Sequence, residues 1–559
     1  MTTTTADAEQ APQSLSQPAG ATSHRGVLLV FAGLLIAMLL ASLDQMIFST
    51  ALPTIVGELH GVEHMVWVTT AYILASTIVM PVYGKLGDLV GRKWLFVSAI
   101  GIFLVGSVIG GLAHSMTTLI AGRAVQGLGG GGLMILALAI IADVVPARER
   151  GRYNGIMGAV FAVSSVAGPL LGGFFTEGPG WRWAFWMNVP LGILAIASAV
   201  KFIHLPKREL AKPRLDYAGM ALIAIATTCI VLITTWAGST YAWGSPQIIG
   251  MIAGAVVAGI AFVLVERRAA EPIMPLALFR NRNFNVATLG GLLTGISMFG
   301  ALAYLPTYLQ MVTGSSATEA GLLMVPMMLG LLLTSVITGI AISRTGTYKW
   351  YPPIGMVLVA VALFLLSTMT PGLAVWVICG YTAIMGVGLG MTMQNLVLVV
   401  QNSFSLKVVG TATSSNNYFR QIGASVGSAV VGSLFATNLA HLLTQRLPAS
   451  GAGDTGSFTP DLVHSLPDQV REIIVGAYND ALTPVFLYMV PLAIAAAIVL
   501  VFIKHKPLAT KIESEAVVES LDVDGTTHVA LHADDALDAA ELDAELDDID
   551  DAELATASS

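Results

Sequence analysis

Charge is scarce in this chain. Asp, Glu, Lys and Arg make up 11% of its 559 residues, where a soluble domain carries about 25%. Cysteine is nearly absent. Cys229 and Cys379 both sit inside apolar stretches and read as small buried hydrophobes, with no CxxC and no basis for a disulfide framework. The sequence has no His cluster and no P-loop, so no metal centre is expected and ATP is not the expected energy source. It also lacks a polar catalytic cluster at an interface and a repeated pore element. An enzyme and a channel are thereby disfavoured. The net charge of −8 misleads. Residues 512–559 hold 16 of the 35 acidic residues and no Lys or Arg, so the chain before them carries 27 basic against 19 acidic residues. That basic excess is topological and gives no reason to invoke nucleic acid.

Apolar sequence is abundant: 55% of residues are hydrophobic, in runs of bilayer length. Fourteen spans are predicted, at 26–50, 65–83, 94–113, 117–142, 153–175, 183–204, 215–236, 247–265, 286–312, 319–342, 351–370, 372–400, 411–438 and 480–503. With the N-terminus inside, 22 of the 27 Lys and Arg residues fall in inner loops or at their helix ends. Basic residues stay on the cytoplasmic side, so an even number of spans with both termini cytoplasmic follows. A multi-pass protein of the cytoplasmic membrane is expected. Residues 1–24 read as a disordered tail and not as a signal peptide, because the first apolar run is long and begins only after Arg25. Residues 506–559 form an acidic tail whose like charges favour disorder. Residues 439–479 are polar, Pro- and Gly-bearing and external, with 460–478 able to form a short helix over an entrance.

The polar residues that interrupt the spans carry the chemistry, because an ionisable group is expensive to keep in a membrane. Asp44 lies deep in span 1, where a buried carboxylate can carry a proton. Arg123 lies one to two turns into span 4 and cannot shed its charge; Asp44 is its nearest partner in depth. Between spans 2 and 3, the turn Gly84–Lys93 packs four charges among three glycines, Gly84, Gly87 and Gly91. There Asp88 can cap the following helix or pair with Arg92. Span 5 holds Gly158, Gly168, Pro169, Gly172 and Gly173, small residues that let a neighbouring helix come close, with a proline that bends the helix. The second half is poor in charge. Glu319 can cap span 10 or serve as a second, shallow acid. Asp143, at the inner end of span 4, is a further acid. Arg420 in span 13 has no acid at similar depth in its own half. With Asn417 and Gln421, with Gln394 and Asn395 in span 12, and with Tyr304 and Tyr308 in span 9, it is a candidate for a polar cavity lining. The segment Trp181–Pro190 reads as an aromatic interfacial anchor.

Several of these stretches carry a resemblance. Gly84-Lys85-Leu86-Gly87-Asp88-Leu89-Val90-Gly91-Arg92-Lys93 resembles the loop between helices 2 and 3 of the major facilitator superfamily. Leu43-Asp44 through Ala51-Leu52-Pro53 is similar to the span-1 signature of the fourteen-span drug:proton antiporters, though Gln45-Met46-Ile47-Phe48 and Ser49 depart from it. Arg123-Ala124-Val125-Gln126-Gly127 matches the family's arginine motif, and Gly158 through Gly168-Pro169-Leu170-Leu171-Gly172-Gly173 its antiporter motif. Over about residues 26–505 the chain resembles the DHA2 drug:proton antiporter family. The resemblance implies an all-α major facilitator fold of two six-helix bundles, at 25–206 and 284–505, with a linker of two extra helices at 207–283. It implies a monomeric transporter, not an enzyme, that needs no cofactor beyond a proton gradient. Its partners would be protons, the lipid bilayer and a small lipophilic substrate, with a cationic one favoured by the single deep acid. It assigns Asp44 and Arg123 to proton coupling, and Gly84, Asp88, Gly91 and Arg92 to a gate. An exporter dedicated to one metabolite, amine or envelope lipid is the main rival expectation, and an uptake symporter the other.

Overall fold

The computed structural model describes residues 24–61, 64–205, 215–238, 240–446, 463 and 466–510. Most of the two predicted tails, at 1–23 and 511–559, lies outside the described residues, as do the start of the linker at 206–214, the stretch 447–462 and residues 62–63, 239 and 464–465. All of the described chain except the isolated bridge Ala237–Tyr241 is helix, turn or loop.

Fourteen apolar helical segments follow one another, thirteen of them long enough to cross a membrane and one shorter. In order they are α1 (His24–Glu58), α2 (Met65–Val90), α3 (Arg92–Gly111), α4 (Met116–Val144), α5 (Ala147–Glu177), α6 (Trp183–Phe202), α7 (Tyr217–Trp236), α8 (Pro246–Glu266), α9 (Arg282–Val312), α10 (Glu319–Thr345), α11 (Tyr351–Ser367), α12 (Val375–Gln401), α13 (Val409–Arg446) and α14 (Asp468–Val501). The short one, α11, has 17 residues, about 25 Å of helix, which is the lower limit for a span. This is the chemistry a bilayer demands: with no water to bond the backbone, each segment must satisfy its own amides as helix.

Side chains mark several helix starts. Ser115 caps α4, Asp216 caps α7, Ser245 caps α8 just before Pro246, and Asn281 caps α9. Ser316 and Glu319 form a reciprocal capping box at the start of α10. Glu319 therefore spends its carboxylate on a backbone amide, which sets the cap above the second-acid reading.

The helix contacts show two bundles of one design. In the first, α1 packs on α5 and α6, and α4 packs on α2 and α3. In the second, α9 packs on α13 and α14, and α12 packs on α10 and α11. Adding eight to each helix number of the first bundle gives the second. The bundles meet along α2 with α13 and α5 with α10. α7 packs on α8 and reaches both α2 and α13, so the inserted pair lies beside one of the two seams.

Three expectations change here. The charged turn at 84–93 is not a ten-residue loop: α2 runs on to Val90, α3 begins at Arg92, and Gly91 alone, at φ +92°, makes the turn. The polar stretch expected at 439–479 is shorter, because α13 continues to Arg446 and α14 begins at Asp468. Residues 468–478 are the first turns of α14, packed on α13 through Leu443, Ile474 and Ala477, and do not form a separate helix over an entrance. Residues 506–510 are not free tail either. The backbone of Lys506 exchanges hydrogen bonds with the Tyr348 hydroxyl, and Ala509 accepts one from the Arg148 amide of the other bundle.

Candidate functional site

The site has three parts: a buried ion pair, a cavity beside it, and a closed seam beyond one end of the cavity.

The ion pair joins α1 to α4. Asp44 and Arg123 are both fully buried and bonded to each other. The Asp44 carboxylate also accepts from Gln126 at 2.9 Å and from Asn188 at 2.8 Å. Ser107 joins Gln126 and Asn188 from α3. Arg123 is sandwiched between the rings of Phe48 and Tyr72, at 4.4 Å and 4.5 Å, a cation–π arrangement that stabilises a desolvated guanidinium. The pairing of Asp44 with Arg123 was readable from depth. Gln126, Asn188, Ser107 and Tyr72 were not assigned. Gln126 stands three residues from Arg123, on the same helix face, which was the available signal. Asn188 sits in the Trp181–Pro190 segment, where the aromatic-anchor reading hid it. That reading changes too: Trp181 is buried and donates to Glu58, which also pairs with Arg182. These two donors hold the Glu58 carboxyl below its usual range. Trp183 is the tryptophan of the segment that is exposed.

A cavity of about 680 Å³ lies between the bundles. Its wall includes Gln45 and Met46 of α1, Thr70 to Met80 of α2, Gly158 of α5, and Gln394, Asn417, Arg420 and Gln421 of the second bundle. Val231, Thr234 and Thr235 of α7 complete it, so the inserted pair contributes wall. Tyr304 lines it as expected. Tyr308 and Asn395 do not: Tyr308 is buried against Asn479 of α14, and Asn395 bonds back to the Met391 carbonyl of its own helix. Asp44 and Arg123 are also absent from the wall. Tyr72 lines the cavity and stacks on Arg123, so its ring stands between the ion pair and the open space.

The antiporter-motif residues divide by position. Gly158 faces the cavity beside Gln394. Gly168 and Gly172 take the backbone of α1 against them: a Cβ on Gly168 would lie 2.3 Å from the Met46 Cβ, and one on Gly172 2.4 Å from the Thr50 hydroxyl. The α1–α5 contact thus falls next to Asp44. Gly173 has nothing within 4 Å of where its Cβ would be, and Pro169 is partly exposed.

Beyond Met80 the cavity stops. Gly84 of α2 touches α13, where a Cβ would stand 1.9 Å from the Ser414 hydroxyl. Asp88 accepts from the amides of Gly410 and Thr411 and from the Thr411 hydroxyl, at 3.2, 2.7 and 2.8 Å. It therefore sits at the N-terminus of α13, where a carboxylate meets both free amides and the positive end of the helix dipole. Sequence reasoning had Asp88 cap the following helix or pair with Arg92; the pair forms, and the helix that Asp88 caps belongs to the other bundle. Arg92 pairs with Asp88 at 2.6 Å and with Asp143 at 2.5 Å, and donates to the carbonyls of Ala139 and Leu406. Asp143 is thus part of this seam and does not stand free as an acid. Gln401 also belongs to the seam, bonding Asn154 and the Leu138 carbonyl across the bundles. Lys85 pairs with Glu271 of the α8–α9 connection. Among the described residues there is no group of His, Cys, Asp and Glu arranged to hold a metal.

Residues 34–428 match the model of the Major Facilitator Superfamily. The chain belongs to that superfamily. An uncharacterised MFS-type transporter of Mycobacterium tuberculosis is 42% identical over 488 residues, covering 87% of this chain and 71% of that protein. The multidrug transporter protein MdtP of Bacillus subtilis is 35% identical, over 86% and 94% of the two chains. Among solved structures, the human organic anion transporter MFSD10 superposes with a TM-score of 0.55 at 15% identity, covering 85% of this chain and 99% of that one. At that identity the likeness is one of fold. A major facilitator chain of this kind is a membrane transporter and not an enzyme.

Proposed function

We propose that this transporter is a proton-coupled exporter of lipophilic small molecules and a member of the fourteen-span DHA2 antiporter family. In this reading it sits in the cytoplasmic membrane with both termini inside. The observation that carries it is the Asp44–Arg123 pair, a carboxylate and a guanidinium buried together one ring away from the cavity. A proton reaching Asp44 removes the charge that Arg123, Gln126 and Asn188 hold. The pair loosens, α1 and α4 are free to shift against each other, and the Gly168–Gly172 contact carries the shift to α5. Loss of the proton on the opposite side restores the pair. Proton and substrate are linked through this one change, so each weakens the other's binding.

The Asp88 seam closes one end, and its bonds must break in each cycle. The Lys and Arg bias of the loops makes this the cytoplasmic end, which makes the conformation outward-facing. The sequence-based preference for cationic substrates rested on Asp44 facing the substrate. With Tyr72 between them, and with no acid in the cavity wall, that preference has no support in this conformation.

The test is Asp44→Asn, which keeps an acceptor for Arg123 but removes the titratable charge. Purified protein in vesicles with an imposed pH gradient is assayed against a panel of dyes, quaternary ammoniums and neutral drugs. The expected result is loss of uphill movement in a variant that still elutes as folded protein. Uphill movement at the wild-type rate would place the coupling elsewhere. A panel in which one compound alone is moved would favour the dedicated exporter.

A further inference from the structure

The guanidiniums set inside the bundles, Arg92, Arg123 and Arg150 buried and Arg420 half-buried, are partnered in different ways. Arg92 holds two carboxylates and two carbonyls, Arg123 holds Asp44, and Arg150 donates to the carbonyls of Val145, Ala142 and Gln401. Arg420 is the exception. Its hydrogen bond is to the neutral Asn417 side chain, at 2.5 Å. Among the described residues no carboxylate pairs with it. It lines the cavity, and the rest of the cavity wall contains no Asp, Glu, Lys or His. Arg420 is therefore the one formal charge on that surface.

A guanidinium cannot give up its proton. A charge held in a largely apolar space is costly unless something of opposite sign meets it. Here the protein supplies no such group, and Asn417 fixes only one edge of the fork. The open edge of a guanidinium matches a carboxylate or sulfonate in two parallel hydrogen bonds. Gln421 and Gln394, also on the wall, offer amide donors to the same kind of group. Seven methionines line the remainder, and their flexible side chains adapt to apolar bodies of different shape.

We propose that Arg420 is the anion-binding pole of the cavity and that the preferred cargo is an amphiphilic organic monoanion, a carboxylate or sulfonate on an apolar body. This rests on the transport reading above but concerns binding alone. The electrostatics follow directly. A cationic ligand entering this cavity meets a like charge and no counter-charge. A neutral ligand leaves the guanidinium unpaired. An anion of the right length neutralises it while its apolar body covers the methionine wall.

The experiment uses the purified full chain in detergent, without a pH gradient. Binding of pyrenebutyrate, pyrenebutyramide and pyrenebutylammonium is measured by calorimetry at neutral pH, so that one apolar body carries each charge in turn. The carboxylate is expected to bind about 10-fold tighter than the amide, with the ammonium weakest. In Arg420→Gln the carboxylate-to-amide ratio falls to about one, and in Arg420→Lys, which keeps a point charge but not the fork, it takes an intermediate value. A wild-type ratio near one overturns the proposal, as does tightest binding of the ammonium or an unchanged ratio in Arg420→Gln. Equal loss of all three ligands in an Arg420→Gln protein that elutes and melts like wild type also overturns it, because the residue would then shape the cavity without reading charge. Loss of proton-driven transport by the wild-type protein would strike at the exporter reading and leave this ratio untouched.

Discussion

Removing the charge of Asp88 is the sharpest perturbation of the closed end. Asp88 is 5% exposed at its side chain and links α2 to the first turn of α13 through three hydrogen bonds, while it also pairs with Arg92. Hydrogen bonds to a charged group contribute about 1.5–3 kcal/mol net, and neutral ones about 0.5–1.5 kcal/mol. Asp88→Asn is nearly isosteric and keeps one acceptor oxygen. It gives up the charge assistance, the favourable field of the helix N-terminus, worth about 0.3–1 kcal/mol, and part of the bond to Arg92. Arg92 retains Asp143, so the guanidinium is not stranded. The closed state should lose about 1–3 kcal/mol relative to the state open at this end, a shift of about 5- to 150-fold in their ratio. Spin labels at Glu149 on α5 and Thr347 after α10, both exposed and on opposite bundles at this end, report the separation. In wild type a single short distance is expected, and in Asp88→Asn a second, longer population. Transport should slow more than substrate binding weakens. An unchanged distance distribution together with an unchanged rate would refute the claim that this seam sets the balance between states.

The remaining predictions concern the ion pair, the α1–α5 contact and the topology. Asn188→Leu removes a donor from a buried carboxylate; it should lower stability by about 1–3 kcal/mol, read as a fall in melting temperature, and should reduce proton-driven transport without touching the cavity wall. Gly168→Ala should lower the melting temperature because its Cβ has no room against Met46, whereas Gly173→Ala, with open space at its Cβ, should change stability by less than about 0.5 kcal/mol; equal effects at the two positions would show that the motif does not act through the α1 contact. A cysteine placed at 455, in a background lacking Cys229 and Cys379, should react with a membrane-impermeant reagent from outside, and reaction only from inside would invert the assigned topology.

The sequence was informative wherever the bilayer itself imposes the rule. A chain crossing hydrocarbon must satisfy its backbone within each segment, so long apolar runs became helices, and all fourteen were legible, including the division at Pro371 that separates α11 from α12. Depth along a span is also a one-dimensional property. Asp44 and Arg123 could be matched because rise per residue converts position into height. Which way each helix faces was not legible. A helix that is apolar all round gives no contrast between its sides, so only packing decides that Gln394 looks into the cavity while Asn395 turns back to its own helix. Packing likewise puts Asn188 on Asp44 across 144 residues of chain and Asp88 on Thr411 across 323. It also places Tyr72 between the buried carboxylate and the open space, and so leaves Arg420 as the charge that the cavity presents. The sequence by itself determined the number, order and depth of the polar groups. Their partners were decided by tertiary structure, because a side chain in a membrane is rotated into place by its neighbouring helices and not by water.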